Sequence, residues 1–383
     1  MLQAEIAIVV DTPIQQIMEN PYSSVNFVYY KILLQTCFSY GVRAAVFNLS
    51  DERTKTVDGE LYGMGLFWST EGYFMQESLI PTILENDYQV MRPLPVLKKM
   101  YPSLAQWLDR CLILNGCTRC VDKVLLPQLL LAGGLGEYII PTYRIDSFQD
   151  ILQGIRQFKT CIVKPTKGNK GIGVSYVEEK NGELIYSNSQ SAGILTEESW
   201  NELRGREVFQ SYILQPRLDF HNSQGFALDF RLLVSRGKNA EWETAIIHAR
   251  VGGSRFVANG SSGGAITFAE EVLLREFGED AERMMQELIM LSNAVPRALD
   301  QFNDCHVSCF GIDAAFDRQT KLPYIIEVNL APGIDYTPWH LAEKRVRYYR
   351  HLLNRPVVEK GDYQPIQSSL IYSSKHAVNS KVQ

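Results

Sequence analysis

Apolar runs of strand length alternate with stretches of helical spacing along most of the chain. Glu5–Val10 is an apolar run that stops at Asp11, and Asn26–Tyr40 repeats apolar residues at helical intervals before Gly41. Val42–Phe47 and Leu61–Trp68 are further strand-length runs, and this β-α-β order predicts a small parallel-sheet domain over residues 1–115. Asp122 is placed to cap a helix reaching Ala132, with Pro127 able to shift or kink it and Gly133–Gly134 ending it. A short strand at Tyr138–Pro141 and a helix over Asp146–Phe158 follow. From Thr160 the texture is β-rich, with runs at Cys161–Lys164, Val174–Val177, Leu184–Tyr186, Val208–Leu214, Phe226–Ser235 and Trp242–Val251. A long helix over Ala269–Leu299, broken or bent near Pro296, precedes two strands, Cys309–Phe316 and Tyr324–Val328, and a basic helix, Trp339–Leu353.

Composition narrows the class. Single cores usually divide beyond roughly 250–300 residues, so 383 residues predict two or three packed units, and 45% hydrophobic residues supply their cores. Residues 360–383 lack apolar periodicity and read as a flexible tail. A net charge of −5 weighs against a nucleic-acid or anionic-membrane binder. No apolar run approaches the roughly 20 residues of a membrane span, and Glu5 and Asp11 argue for a first strand over a signal peptide, which predicts a cytoplasmic protein. Seven scattered cysteines suit a reduced compartment. Cys117 and Cys120, with Cys305 and Cys309 flanking His306, have spacings that a zinc site uses, although idle thiols are the plainer reading.

Three constellations carry chemistry. In Lys164-Pro-Thr-Lys167-Gly168-Asn-Lys170-Gly171-Ile-Gly173, an apolar strand delivers a lysine into a loop of three glycines and two more lysines. Such a backbone approaches a phosphate closely and the lysines supply the countercharge; the alternative is an ordinary glycine-rich hairpin. The loop is no Walker motif, because a strand follows it. In the second constellation, Glu327 and Asn329 are two apart on one strand and share a face, with Ile326 and Val328 opposite and Asp313 on the preceding strand. Carboxylates in apolar strands need compensation, and an oxygen set of this kind suits Mg²⁺. A solvated sheet face with incidental acids is the competing reading. The third is Asp229-Phe-Arg231, Arg250, Asn259 and Gly263–Gly264. Arginines on adjacent strands can grip a carboxylate or phosphoryl group, or simply pair with aspartate across an exposed sheet. Lys123, at a helix start where a cation opposes the helix dipole, is a fourth candidate.

From about Leu112 to Leu353 these pieces follow the order of the ATP-grasp superfamily, which the chain resembles. Lys123 looks like that family's first nucleotide lysine and Lys164, in Ile-Val-Lys-Pro, like its second. Gln210-Ser-Tyr212-Ile213 resembles the hinge that meets adenine, and Asp313, Glu327 and Asn329 match the metal triad. The Asp229-Phe-Arg231…Arg250…Asn259…Gly263-Gly264 order is similar to RimK-type amino-acid ligases, and Leu-Asn115-Gly…Asp-Lys123 to the YheC/YheD-type proteins associated with spore coats. The resemblance implies an α/β (α+β) ATP-grasp fold: an N-terminal domain over 1–115, then a nucleotide-clamping subdomain over 116–215 and a metal-binding subdomain over 216–355. It implies ATP with Mg²⁺ (Mn²⁺ as an alternative). Lys123 and Lys164 would hold the α/β-phosphates and the Gly168–Gly173 backbone the β/γ-phosphates. Arg231, Arg250 and Asn259 would steady an acylphosphate. The implied partners are an amino acid or peptide carboxylate and an amine, or alternatively a carrier-protein thiol as in antibiotic biosynthesis. A coat-associated ATP-binding protein without turnover, and a homodimer, stay open. Gln210 stands where many relatives have Glu, and the arginine some ligases carry just before Asp313 is missing, with Arg250 as its replacement.

Overall fold

The computed structural model describes residues 3–20, 25–86, 94–116, 122–166, 172–206, 211–258, 263–302, 305–330 and 338–354. Three sheets account for its strands. The first runs through β1 (Ile6–Val10), β2 (Ala44–Asn48), β3 (Lys55–Val57), β4 (Glu60–Ser69), β5 (Gly72–Leu79), β6 (Ile83–Asn86) and β7 (Leu112–Leu114). Its order is β3-β4-β2-β1-β6-β7, with β5 also paired to β4. Only β2, β1, β6 and β7 are parallel; β3, β4 and β5 are antiparallel, so the sheet is mixed where the pattern alone predicted a parallel one. Turn chemistry explains the difference. Asp58 and Gly59 both have positive φ (50° and 79°), the signature of a tight hairpin that folds β4 straight back on β3.

The second sheet holds β8 (Tyr143–Ile145), β9 (Thr160–Pro165), β10 (Ser175–Lys180), β11 (Glu183–Ser187), β12 (Ala192–Ile194) and β13 (Tyr212–Pro216), all antiparallel, in the order β12-β11-β10-β9-β13-β8. The third holds β14 (Leu228–Arg236), β15 (Trp242–Val251), β16 (Ala265–Phe268), β17 (Cys309–Phe316) and β18 (Pro323–Asn329), also antiparallel, in the order β16-β15-β14-β17-β18.

Several expected elements fall elsewhere. Ser147 does cap the helix Phe148–Phe158, in a capping box with Asp150. The helix after Asp122 begins only at Leu126, with Pro127 in its first turn; the Asp122 carboxylate instead accepts the Val124 and Leu125 amides at 2.8 and 3.1 Å in the turn before it. Tyr138–Pro141 is no strand: a 3₁₀ turn covers Gly136–Tyr138, and Ile139 makes one isolated bridge to Ile325. The predicted long helix divides at Gly278, whose φ is 57°, into Ala269–Phe277 and Ala281–Asp300. Pro296 lies buried inside the second of these without breaking it. The strand expected from Val208 begins at Tyr212, and residues 207–210 lie outside the described residues.

Buried apolar faces join the units. One face of the third sheet, including Phe230, Leu232, Ile312 and Val328, packs on Leu288, Leu291 and Val295 of Ala281–Asp300. The last helix, Pro338–Leu353, buries Leu341, Val346 and Tyr349 in the same core as Ile6, Leu33 and Val46 of the first sheet and its helix Val25–Ser39.

Candidate active site

The face of the third sheet turned away from that core is polar, and the register shows how it is built. Directly opposed residues share a face. Glu327 stands opposite Asp313, Asp313 opposite Arg231, and Arg231 opposite His248, so four strands contribute one row. Asp229 and Arg250 form the adjacent row, and Asn329 stands two residues beyond Glu327. A bulge sharpens the edge: pairing slips between Asp313 and Ala314, leaving Ile326 without an opposite number, so that Ile325 and Val328 both join the core while Glu327 stays with Asp313. Strict alternation had placed Ile326 on the core side with Val328.

The charges on this face are paired. Arg231 Nε donates to Asp313 Oδ1, and its Nη2 donates to Oδ2 at 3.1 Å. Arg250 donates from Nε and Nη2 to the two Asp229 oxygens at 2.6 and 2.8 Å, and its Nη2 also lies 2.9 Å from Asp313 Oδ2. Two aspartates and two arginines thus form a closed, buried, charge-balanced quartet, as burial of ions demands. Burial acts to raise the Asp313 carboxyl, but Arg231 and Arg250 outweigh it and hold the group down at about 2. His248, 7% exposed, is pushed down to about 4 by burial and then by the same two arginines, so its imidazole is neutral at neutral pH. Among the described residues its buried Nδ1 has no hydrogen-bond partner.

Lys164 comes to this face from the second sheet. Cys161 and Val163 of β9 point into that unit's core, which leaves Ile162 and Lys164 on the other side. Burial, reinforced by Lys123, pushes Lys164 down to about 8, while Glu327 opposes the shift. Lys123 is lowered likewise by burial, and Glu327 again opposes. Both lysines therefore lie within electrostatic reach of Glu327 across the cleft. A pocket beside them is lined by Lys123, Lys164, Thr142, Gln215, Ile139 and Ile325, and Gln215 Nε2 donates to Thr142 Oγ1 at 2.8 Å.

The remaining candidates divide. Ile213 is opposite Lys164 and fully buried, whereas the Tyr212 ring lies in the core with its centroid 4.9 Å from that of Trp200. Gly173 has φ 75°, a backbone that L side chains rarely adopt, at the end of the glycine loop. Lys167, Gly168, Lys170, Gly171, Gln210 and Asn259 lie outside the described residues, as do Cys117 and Cys120. Cys309 is buried, its thiol 2.8 Å from Arg345 Nη2. Among the described residues no three His, Cys, Asp or Glu side chains gather as a metal cluster. The Asp313, Glu327 and Asn329 oxygens nevertheless fit a hard divalent cation: two carboxylates and an amide share one face, and Asn329 Nδ2 already orients Glu327 Oε1 at 3.0 Å. His248 was not singled out from sequence, because in Ala-Ile-Ile-His-Ala-Arg it reads as one polar residue in an apolar strand; only the register reveals its place beside Arg231.

A polar, cation-ready face on one antiparallel sheet, met by Lys164 from the second sheet and by Lys123 from the turn before Leu126–Ala132, marks a nucleotide-clamping class of protein. Residues 113–355 match the YheC/D like ATP-grasp family, and the chain belongs to it. It is 24% identical over 211 residues to the endospore coat-associated protein YheC of Bacillus subtilis (strain 168), covering 52% of this chain and 56% of that one, so it spans little more than half of that relative. In fold it is similar to D-cycloserine synthetase DcsG (TM-score 0.50, 16% identity, 90% of this chain and 100% of that one). It is likewise similar to D-alanyl-alanine synthetase A of Vibrio cholerae (TM-score 0.50, 11% identity, 92% and 97%). Among the described residues no helix is long and apolar enough to cross a membrane.

Proposed function

We propose that the protein is an ATP-dependent ligase that activates an amino acid or peptide carboxylate for attack by an amine. The observation that supports this best is the convergence of Lys123 and Lys164 on one pocket with Ile325 and Ile326, the residues just before Glu327, beside the Asp–Arg quartet. In this reading the two lysines bind the α/β-phosphates of ATP, and the loop ending at Gly173 covers the β/γ-phosphates. Asp313, Glu327 and Asn329 would hold Mg²⁺, which when bound would supply charge neutralisation on the phosphates. Arg231 and Arg250 orient the acyl carboxylate and stabilise the charge that spreads over the transferring phosphoryl group. A carboxylate oxygen bonds to the γ-phosphorus as ADP leaves. The amine nitrogen then bonds to the acyl carbon, phosphate leaves with the electron pair, and the amine's proton passes to solvent. A carrier-protein thiol is the alternative nucleophile, and the site chemistry is the same for both.

A second reading, a coat-associated protein that binds ATP without turnover, draws on the relative named for spore-coat association and on an Asp313 carboxylate already engaged by both arginines. One assay separates the readings: ATP-dependent phosphate release with amino acids and short peptides, with and without added amine or carrier protein. The ligase reading expects release that needs a carboxylate. It also expects Glu327→Gln to abolish release with an unchanged circular dichroism spectrum, because a metal charge is lost from a strand whose packing is intact. Full activity in that variant would remove Glu327 from the metal site, and nucleotide binding with no release under any condition would favour the second reading.

A further inference from the structure

We propose that the outer strands of the catalytic sheet bind an α-amino acid as acyl donor, with its carboxylate at Arg231 and Arg250, its amino group at His248, and an apolar side chain over Ile266 and Phe268. The inference rests on the ligase reading and names its donor. The register sets the order of these groups. Arg250 is opposite Ile266 and His248 opposite Phe268, so the polar rows on β17, β14 and β15 continue on β16 as an apolar strip on the same face. Phe268 is 64% exposed although it adjoins a site of four buried charges. Strands are spaced by about 4.8 Å, so one amino acid reaches from the arginines to this strip. The nucleotide lies on the other side, toward Glu327 and Lys164, which gives the order phosphate, carboxylate, side chain.

His248 supplies the third contact. Its neighbours Arg231 and Arg250, with burial, keep it neutral, so it accepts a hydrogen bond and does not repel an ammonium group. Among the described residues the buried Nδ1 has no partner, a condition that costs stability and calls for one. A half-turn of the ring exchanges Nδ1 with Cδ2, so the nitrogen is not confined to one position. Among the described residues neither arginine uses Nη1 in a hydrogen bond, which leaves donors for the substrate carboxylate after the internal pairs are made.

The test uses the full chain with ATP, Mg²⁺ and hydroxylamine, which traps an activated acyl group as a hydroxamate. Leucine, phenylalanine, aspartate, lysine, the N-acetyl forms of the first two and short peptides serve as donors, and phenylalanine binding is followed in parallel by calorimetry. Leucine and phenylalanine should exceed aspartate and lysine by at least about tenfold in kcat/KM, a discrimination that an apolar pocket can supply. Phe268→Ala should remove most of that preference without changing the KM for ATP. N-acetylation and His248→Ala should each lower kcat/KM, and His248→Ala should have little further effect on the N-acetyl donors. Equal use of apolar and charged donors, or of free and acetylated ones, would overturn the proposal. Calorimetric binding of phenylalanine that Phe268→Ala abolishes, with no hydroxamate from any donor, would uphold this site and defeat the ligase reading. Hydroxamate from peptides alone, with no amino acid bound, would do the reverse.

Discussion

Lys164 shows what a buried cation costs a protein and what a ligand returns. Burial and Lys123 lower it to about 8, so it is fully charged only well below that pH, half charged near it and neutral well above. A bound triphosphate favours the charged form, so binding must take up a proton once the free protein has lost it. ATP affinity should therefore be flat below about pH 7.5 and fall by up to tenfold per unit above about pH 8. Lys123 shifts in the same direction, and Lys164→Arg separates the two, because arginine stays charged and should flatten much of the decline. Calorimetric titration of Mg-ATP from about pH 7 to 9.5 measures both proteins. A wild-type affinity that ignores pH would take Lys164 away from the phosphates. The Asp313–Arg231–Arg250–Asp229 quartet is the complementary case. The sequence offered cross-strand pairing and ligand binding as alternatives for Asp229, Arg231 and Arg250, and the structure shows the pairing while leaving each arginine Nη1 unused among the described residues.

At the scale of elements, what could be read from sequence depended on whether the signal was local. Cys309–Phe316 and Trp242–Val251 are long apolar runs bounded by polar residues, and both strands appear with the expected bounds. The strand Gly72–Leu79 has no signature in the sequence, because Tyr-Phe-Met-Gln-Glu-Ser has no apolar alternation and owes its conformation to pairing with Tyr62–Ser69 of β4. The quartet could be listed from sequence but not assembled, since register is a long-range property, and His248 went unnoticed for the same reason. The misplaced break in the long helix follows from weighting proline over glycine. Pro296 sits where neighbouring contacts hold the helix together, whereas Gly278 takes a left-handed φ of 57° that ends Ala269–Phe277. With ψ at −121°, Gly278→Ala should consequently cost about 1–3 kcal/mol, the usual range for a side chain held in a region that glycine alone populates readily, although no neighbouring atom lies within 4 Å of where the Cβ would be. Because ψ is −121°, outside the left-handed helical region that Asn tolerates, pure backbone strain predicts that Asn loses as much as Ala at this position. Urea midpoints of the two variants test that, and an Asn loss much smaller than the Ala loss would mean that the backbone here relaxes toward the left-handed helical region.

On the scale of the whole molecule, the two ends of the chain are joined by a buried polar knot. Glu85, at the end of β6 and 1% exposed, accepts from Asn115 Nδ2 at 2.5 Å, from Ser308 Oγ at 3.0 Å and from Tyr349 at 3.0 Å. Arg345 of the last helix lies 3.3 Å from Glu85 and donates to the Tyr29 hydroxyl at 2.8 Å. Asn115, held at φ 60°, also accepts the Ser308 amide, so the residue just before β17 is tied to the first sheet, five positions ahead of Asp313. The knot fixes the first sheet, the last helix and the strand that carries Asp313 in one arrangement. Removing one ion of a buried pair typically costs about 3–5 kcal/mol, whereas replacing both with apolar or neutral groups is often close to neutral. Arg345→Met should therefore destabilise strongly and let the first-sheet core, which contains Leu341, Val346 and Tyr349, unfold before the other two sheets. Glu85→Gln combined with Arg345→Met should recover most of the loss. Urea unfolding followed by fluorescence measures this: the single variant should split one transition into two, and the double variant should bring them back together. If the double variant is as unstable as the single one, the remaining bonds of Asn115, Ser308 and Tyr349 depend on the Glu85 charge itself, and the knot acts through that carboxylate and not through the ion pair.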